Sequence, residues 1–399
     1  MAADLSHLKI SREPLNRYGS LEGLIQGIRA HRLLDLNAER WRRAHPGGTF
    51  DEWREAAHRC LLEGLHYDPG PLDLRAEVLS KEDRPGFTLE HVAFNTTPWI
   101  RVEGYFLLPK NVEYPVPGLV VFHAWGGPMW FGKDRIVSQD RDHPVLRKHR
   151  EKCYSGKYLA DEFAKQGYAV IVIDAHHFGP RAPRGLNGIP EDADPWSWTE
   201  EEYGPMGRRL FELFYLGVKE LTWAGATWMG LTYWDDSRCV DYLIGRQEVD
   251  STRIGCTGLS GGAMRTNVMA ALERRISASV SVCFMTTGDY QQVYNVAGAV
   301  GTYCHLPGVW DRLDLPDLTI MAAPSASMVI SNSEDEMFPR EGQLEAARQI
   351  QQGYAWAGCP EQFSHVYLPK DHCYDVELQQ IAFDWFDRHL KGDKGQRDR

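Results

Sequence analysis

No stretch of the 399 residues approaches ~20 consecutive apolar side chains, so no transmembrane helix is expected. No C-x-x-C pair occurs among the eight cysteines and no H-E-x-x-H is present, so a zinc site has no support and no metal or organic cofactor is expected. The opening MAADLSHLKISREPLNRYGS lacks an apolar core and a small-residue cleavage site. It does not read as a secretory signal, and the chain reads as cytoplasmic with reduced thiols. Cys256 and Cys283 sit in apolar runs and read as core residues. No basic tract interrupts a net charge of −11, which argues against nucleic acid or an anionic membrane as partner. Internal repeats are missing as well. What remains is 43% apolar and 25% charged, the balance of a globular chain long enough for a sizeable core.

The first 86 residues read as a helical extension. Ser20 can cap a helix with Leu21, Leu24, Ile25 and Ile28 on one face. Thr49 and Glu52 form a capping box ahead of a stripe of Phe50, Trp53, Ala57, Cys60 and Leu61. Such amphipathic helices need a surface to pack on. From residue 87 to 392 the pattern is α/β. Gly118–His123 and Tyr168–Asp174 are continuous apolar runs, the signature of parallel strands buried on both faces. A helical stripe at 158–166 lies between them, so the unit is βαβ. Further strands are expected at 91–94, 100–108, 253–257, 279–284, 327–331 and 363–368. Helices are expected at 234–245, 262–274, 341–356 and near the end, around Ile381 to Leu390. Residues 175–230, with Pro180, Pro183, Pro190, Pro195 and Pro205, read as an irregular insertion that roofs the site as a lid. The last residues, 393–399, read as a flexible tail.

The chemistry concentrates in Gly258-Leu-Ser260-Gly-Gly262, a G-x-S-x-G between a strand and a helix. Glycines flank a serine there because the turn is tight and strained, and the following helix aims its N–H groups at a developing oxyanion. An acid and then a histidine follow in the order this arrangement needs. Glu334, Asp335 and Glu336 compete for the acid, and Asp335 is favoured. His372 follows the last strand, whereas His365 lies within it. The backbone N–H groups of Trp125 and Gly261 are the expected oxyanion donors, with His123 fixing the loop. Trp130, His177, Arg181 and Trp228 are candidate substrate contacts. Aromatic faces suit a sugar or aryl group, although packing of the insertion explains any single tryptophan as well. Arg181 could equally anchor its loop by a salt bridge.

The stretches FHAWGG (122–127), IDAHHFGPR (173–181), VDSTRIGCTGLSGG (249–262), ISNSEDEMFP (330–339) and KDHCYD (370–375) resemble the α/β-hydrolase superfamily. The similarity is to its dienelactone-hydrolase-like and acetyl-xylan-esterase-like carboxylesterases. It implies an α/β-hydrolase fold, a mostly parallel central sheet flanked by helices. It also implies a serine esterase that takes a small-molecule ester, removing acyl groups from sugars or small esters. Ala124 departs from the glycine common in that loop. Alternatives are a serine peptidase or amidase of the same fold, and a binding protein on this scaffold. A dinucleotide reading of Gly255-x-x-Gly258-x-x-Gly261 has the wrong spacing and leaves Asp335 and His372 unexplained. A homo-oligomer is compatible with all of these.

Overall fold

The computed structural model describes residues 24, 28, 31–290 and 301–392. The helix expected from Ser20 lies outside these residues except at Leu24 and Ile28, and so does the tail from 393 onward. Nine strands form one sheet in the order β1-β2-β3-β5-β4-β6-β7-β8-β9. They are β1 (Glu77–Arg84), β2 (Phe87–Asn95), β3 (Arg101–Pro109), β4 (Val116–Phe122), β5 (Ala169–Ile173), β6 (Val249–Leu259), β7 (Ile276–Val282), β8 (Ala326–Asn332) and β9 (Phe363–Leu368). The first three are antiparallel, β3 meets β5 antiparallel, and the rest are parallel. Every residue of β4, β5 and β8 is buried, which is why β4 and β5 are continuous apolar runs.

Side chains along β4 alternate between two cores. Val120 and Phe122 enter one, Leu119 and Val121 the other. The first core is closed by α1 (Ala38–Ala44) and α2 (Phe50–Gly64). The second receives α3 (Pro144–Tyr154) through Tyr154 and α4 (Leu159–Lys165) through Phe163. Next along the chain come α5 (Glu200–Trp223), α6 (Trp228–Ile244), α7 (Gly261–Leu272), α8 (Leu315–Met321), α9 (Arg340–Trp356) and α10 (Val376–Phe386). Of these, α10 belongs to the second core and the others contribute to the first. No helix among the described residues is long and apolar enough to cross a membrane.

The structure corrects the element reading in two places. The sheet begins inside the segment read as helical, because β1 precedes residue 87. Seven of its eight residues are exposed and most are charged, so main-chain pairing to β2, with ion pairs such as Lys81 to Glu90 at 2.7 Å, holds it at the edge. The segment read as irregular contains the 24-residue α5, which tolerates Pro205 in its second turn behind a Thr199–Glu202 capping box.

The capping box at Thr49 and Glu52 forms as expected and starts α2. Trp53 of that helix is fully buried, donates from Nε1 to Leu36 O at 2.7 Å and packs against Phe50 and Trp356. Trp53→Ala is expected to destabilise the whole fold by about 3–5 kcal/mol in urea denaturation, because it empties a site shared by α2 and α9.

Candidate active site

The parallel strands end on a common edge, and each contributes one group just past its C-terminus. Ser260 follows β6 directly at φ 59° and ψ −121°, a strained conformation for a residue with a Cβ. The glycines around it are demanded by space. A Cβ on Gly262 would lie 2.5 Å from Phe122 O and 2.9 Å from His123 O. One on Gly258 would lie 2.6 Å from the Gly262 carbonyl carbon. Gly262→Ala is therefore expected to cost about 1–3 kcal/mol or more in urea denaturation, since rigid backbone of β4 cannot give way.

Asp335 and His372 meet. His372 Nδ1 donates to Asp335 Oδ2 at 2.7 Å; the acid side chain is fully shielded, while the histidine remains 22% exposed. Asp335 Oδ1 accepts from Met337 N at 2.9 Å. The two loops are joined by main-chain bonds from Ser333 N to Leu368 O and from Glu334 N to Lys370 O. Asn332 Nδ2 adds a bond to Asp371 O at 2.7 Å. Glu334 and Glu336, the competing acids, point into solvent. His365 lies within β9 with its Nε2 buried and unpartnered, and burial lowers its pKa to about 4.

The loop after β4 brings Trp125 beside the serine turn. A Cβ on Gly261 would sit 3.0 Å from Trp125 N and 2.4 Å from Trp125 Cβ. The two expected oxyanion donors thus belong to adjoining segments. His123 accepts at Nε2 from Ala175 N and donates from Nδ1 to Ala124 O at 2.9 Å. Burial holds its pKa well below the usual imidazole value, which matches this neutral form.

The other candidates divide. Trp228 and Trp125 meet edge-on at 5.1 Å, and Trp125 also contacts Phe214 and stacks on Tyr303 at 4.2 Å. His177, at φ 70°, lies edge-on to Phe214, and burial lowers its pKa to about 4. Trp130 is 1% exposed and packs on Trp198, and Trp228 is as deeply buried at 2%. Arg181 spends its guanidinium on Asp235 at 2.7 Å, Asp174 O and His176. These contacts are those of the loop-anchoring alternative.

Two features escaped sequence reading. Asp236, next to Asp235 on α6, pairs with Arg265 at 2.6 Å and 2.9 Å, tying the helix that follows Ser260 to α6. Cys283 is buried as expected but is no ordinary core residue. It follows β7 at φ 56°, and its Sγ lies with the ligand atoms of Asp335 and His372 inside a 4.8 Å group. Burial, reinforced by Asp335, pushes its thiol pKa well up. A protonated thiol is a poor metal ligand, and the acid and histidine already bond each other. No sequence pattern distinguishes Cys283 from Cys256.

The sequence model of the abhydrolase family matches residues 16–379. A Bacillus subtilis (strain 168) protein named as a candidate hydrolase, YtaP, is 22% identical over 322 residues, 81% of this chain and 95% of its own. A solved structure of a candidate acetyl xylan esterase from Bacteroides fragilis superposes with a TM-score of 0.68 at 16% identity, covering 90% of this chain and 84% of the other. The glucuronoyl esterase from Solibacter usitatus gives a TM-score of 0.58 at 14% identity, with 88% and 94% covered. At these identities the structural likeness speaks for the fold, a mostly parallel α/β-hydrolase sheet.

Proposed function

Because the chain belongs to the abhydrolase family, we propose that it is a serine carboxylic-ester hydrolase working through an acyl-enzyme on Ser260. The observation that carries this reading is the 2.7 Å His372–Asp335 hydrogen bond at the strand ends that also present the strained Ser260 turn. A neutral hydroxyl attacks poorly, so His372 takes the Ser260 proton as Oγ adds to the ester carbonyl. The oxyanion forms against the N–H groups of Trp125 and Gly261. Asp335 orients the imidazole and offsets its new charge. Collapse passes the proton to the leaving alcohol, and water activated by His372 then releases the acid.

In the proposal, residues 175–230 and the N-terminal helices roof this site, and the hydrolase domain, expected over 87–392, takes in β1 of the preceding segment as well. The aromatic cluster of Trp125, Phe214 and Tyr303 lies beside the Ser260 turn, and the substrates proposed are acetylated sugars or other small esters. The test is a panel of p-nitrophenyl esters of rising chain length, beside acetylated sugars and peptide amides. Turnover is expected to be fastest with acetyl esters and unchanged after EDTA treatment. Preference for the amides would favour the peptidase alternative, and reversible loss with EDTA would contradict the metal-free mechanism.

A further inference from the structure

Arg135 is fully buried, yet every hydrogen bond it donates goes to a main-chain carbonyl: Phe131 O from Nε, and Ala124 O and Gly126 O from Nη1, both at 2.7 Å. Its Nη2 is shielded from solvent and has no partner. A cation placed this way is costly to bury, and a hydrophobic residue would fill the space at lower cost. What it grips is informative. Ala124 C=O and Trp125 N–H are the two ends of one planar trans peptide and point in opposite directions. Arg135 and His123 both donate to that carbonyl, so the N–H is turned away from them. Trp125 N is the atom that borders Gly261.

The arginine is itself held. It closes the short 3-10 turn Lys133–Arg135, where Lys133 pairs with the buried Asp174 at 2.5 Å through Nζ and at 2.6 Å through its backbone N. Gly132 before the turn leaves no room for a side chain, since a Cβ would fall 1.9 Å from Asp174 Oδ1. The Arg135 guanidinium also lies over the Phe178 ring, 5.2 Å from its centroid.

We propose that Arg135 is the positioning residue of the oxyanion hole, locking and polarising the Ala124–Trp125 peptide so that the Trp125 N–H is preset toward the reacting carbonyl. This rests on the serine-esterase reading. A carbonyl that accepts a charge-assisted bond makes the N–H of the same peptide a stronger donor. The hole is then formed before substrate arrives and needs no reorganisation during reaction.

Arg135→Lys keeps a charge but cannot bridge the same carbonyls, and Arg135→Met keeps bulk without charge. In both, kcat for p-nitrophenyl acetate is expected to fall by about 10- to 100-fold, less than deleting a donor outright. KM should stay within about threefold, because only the transition state uses the hole. The Ki of an aryl trifluoromethyl ketone, whose adduct places an oxyanion there, should rise by the same factor as kcat/KM falls. Fluorophosphonate titration should still find one reactive serine per chain. Unchanged kcat and Ki in folded Lys variant would overturn the proposal. A loss matched by the fall in titratable serine would overturn it too, since that reports misfolding alone. A wild type that neither turns over esters nor is labelled overturns the esterase reading instead.

Discussion

Ser260→Ala is expected to lower kcat on the order of 10⁶-fold and to abolish labelling by a fluorophosphonate. Alanine keeps the Cβ that the turn already accommodates at φ 59°, so the fold and the circular dichroism spectrum should persist. What disappears is the atom proposed to form the acyl bond. The residual rate then reflects the oxyanion donors and substrate binding, which the substitution leaves in place. Substantial esterase activity in this variant, or labelling that persists, would remove the turn from the mechanism and favour the binding-protein reading.

His372→Ala is expected to cost a similar factor, and Ser260→Ala with His372→Ala little more than either alone, because the two act as one unit. Asp335→Asn should cost about 10⁴-fold, less than the loss of His372. The amide can present an N–H where the carboxylate accepted from His372 Nδ1, which favours the wrong tautomer. The same change spares the exposed Glu334 and Glu336, so Glu334→Gln and Glu336→Gln should leave kcat/KM close to wild type. Steady-state kinetics on these variants beside the wild type decides the matter. A large loss in either glutamate variant, with Asp335→Asn active, would move the acid to a neighbour.

Strands β4 and β5 were legible because burial on both faces leaves an unbroken apolar record in the chain. The edge strand β1 was not, since its pairing is through the main chain and its exposed side chains carry no pattern. In α5, Gly204, Pro205 and Gly207 mimic loop composition, while its packing through Tyr203, Leu210 and Phe214 outweighs their weak helix preference.

The candidate site shows the same division. Local sequence determined the turn at Ser260, because only glycines fit around it, and the chain order of serine, acid and histidine. Which of three adjacent acids faces the histidine was decided by the tertiary structure: the bonds joining the β8 and β9 loops bury Asp335 and leave its neighbours in water. The position of Cys283 beside that pair, the burial of Trp130, the anchoring of Arg181 by Asp235 and the grip of Arg135 on Ala124 O were decided there as well. Each joins segments brought together by the sheet order, and a one-dimensional pattern records periodicity along a segment but not which distant segment lies beside it.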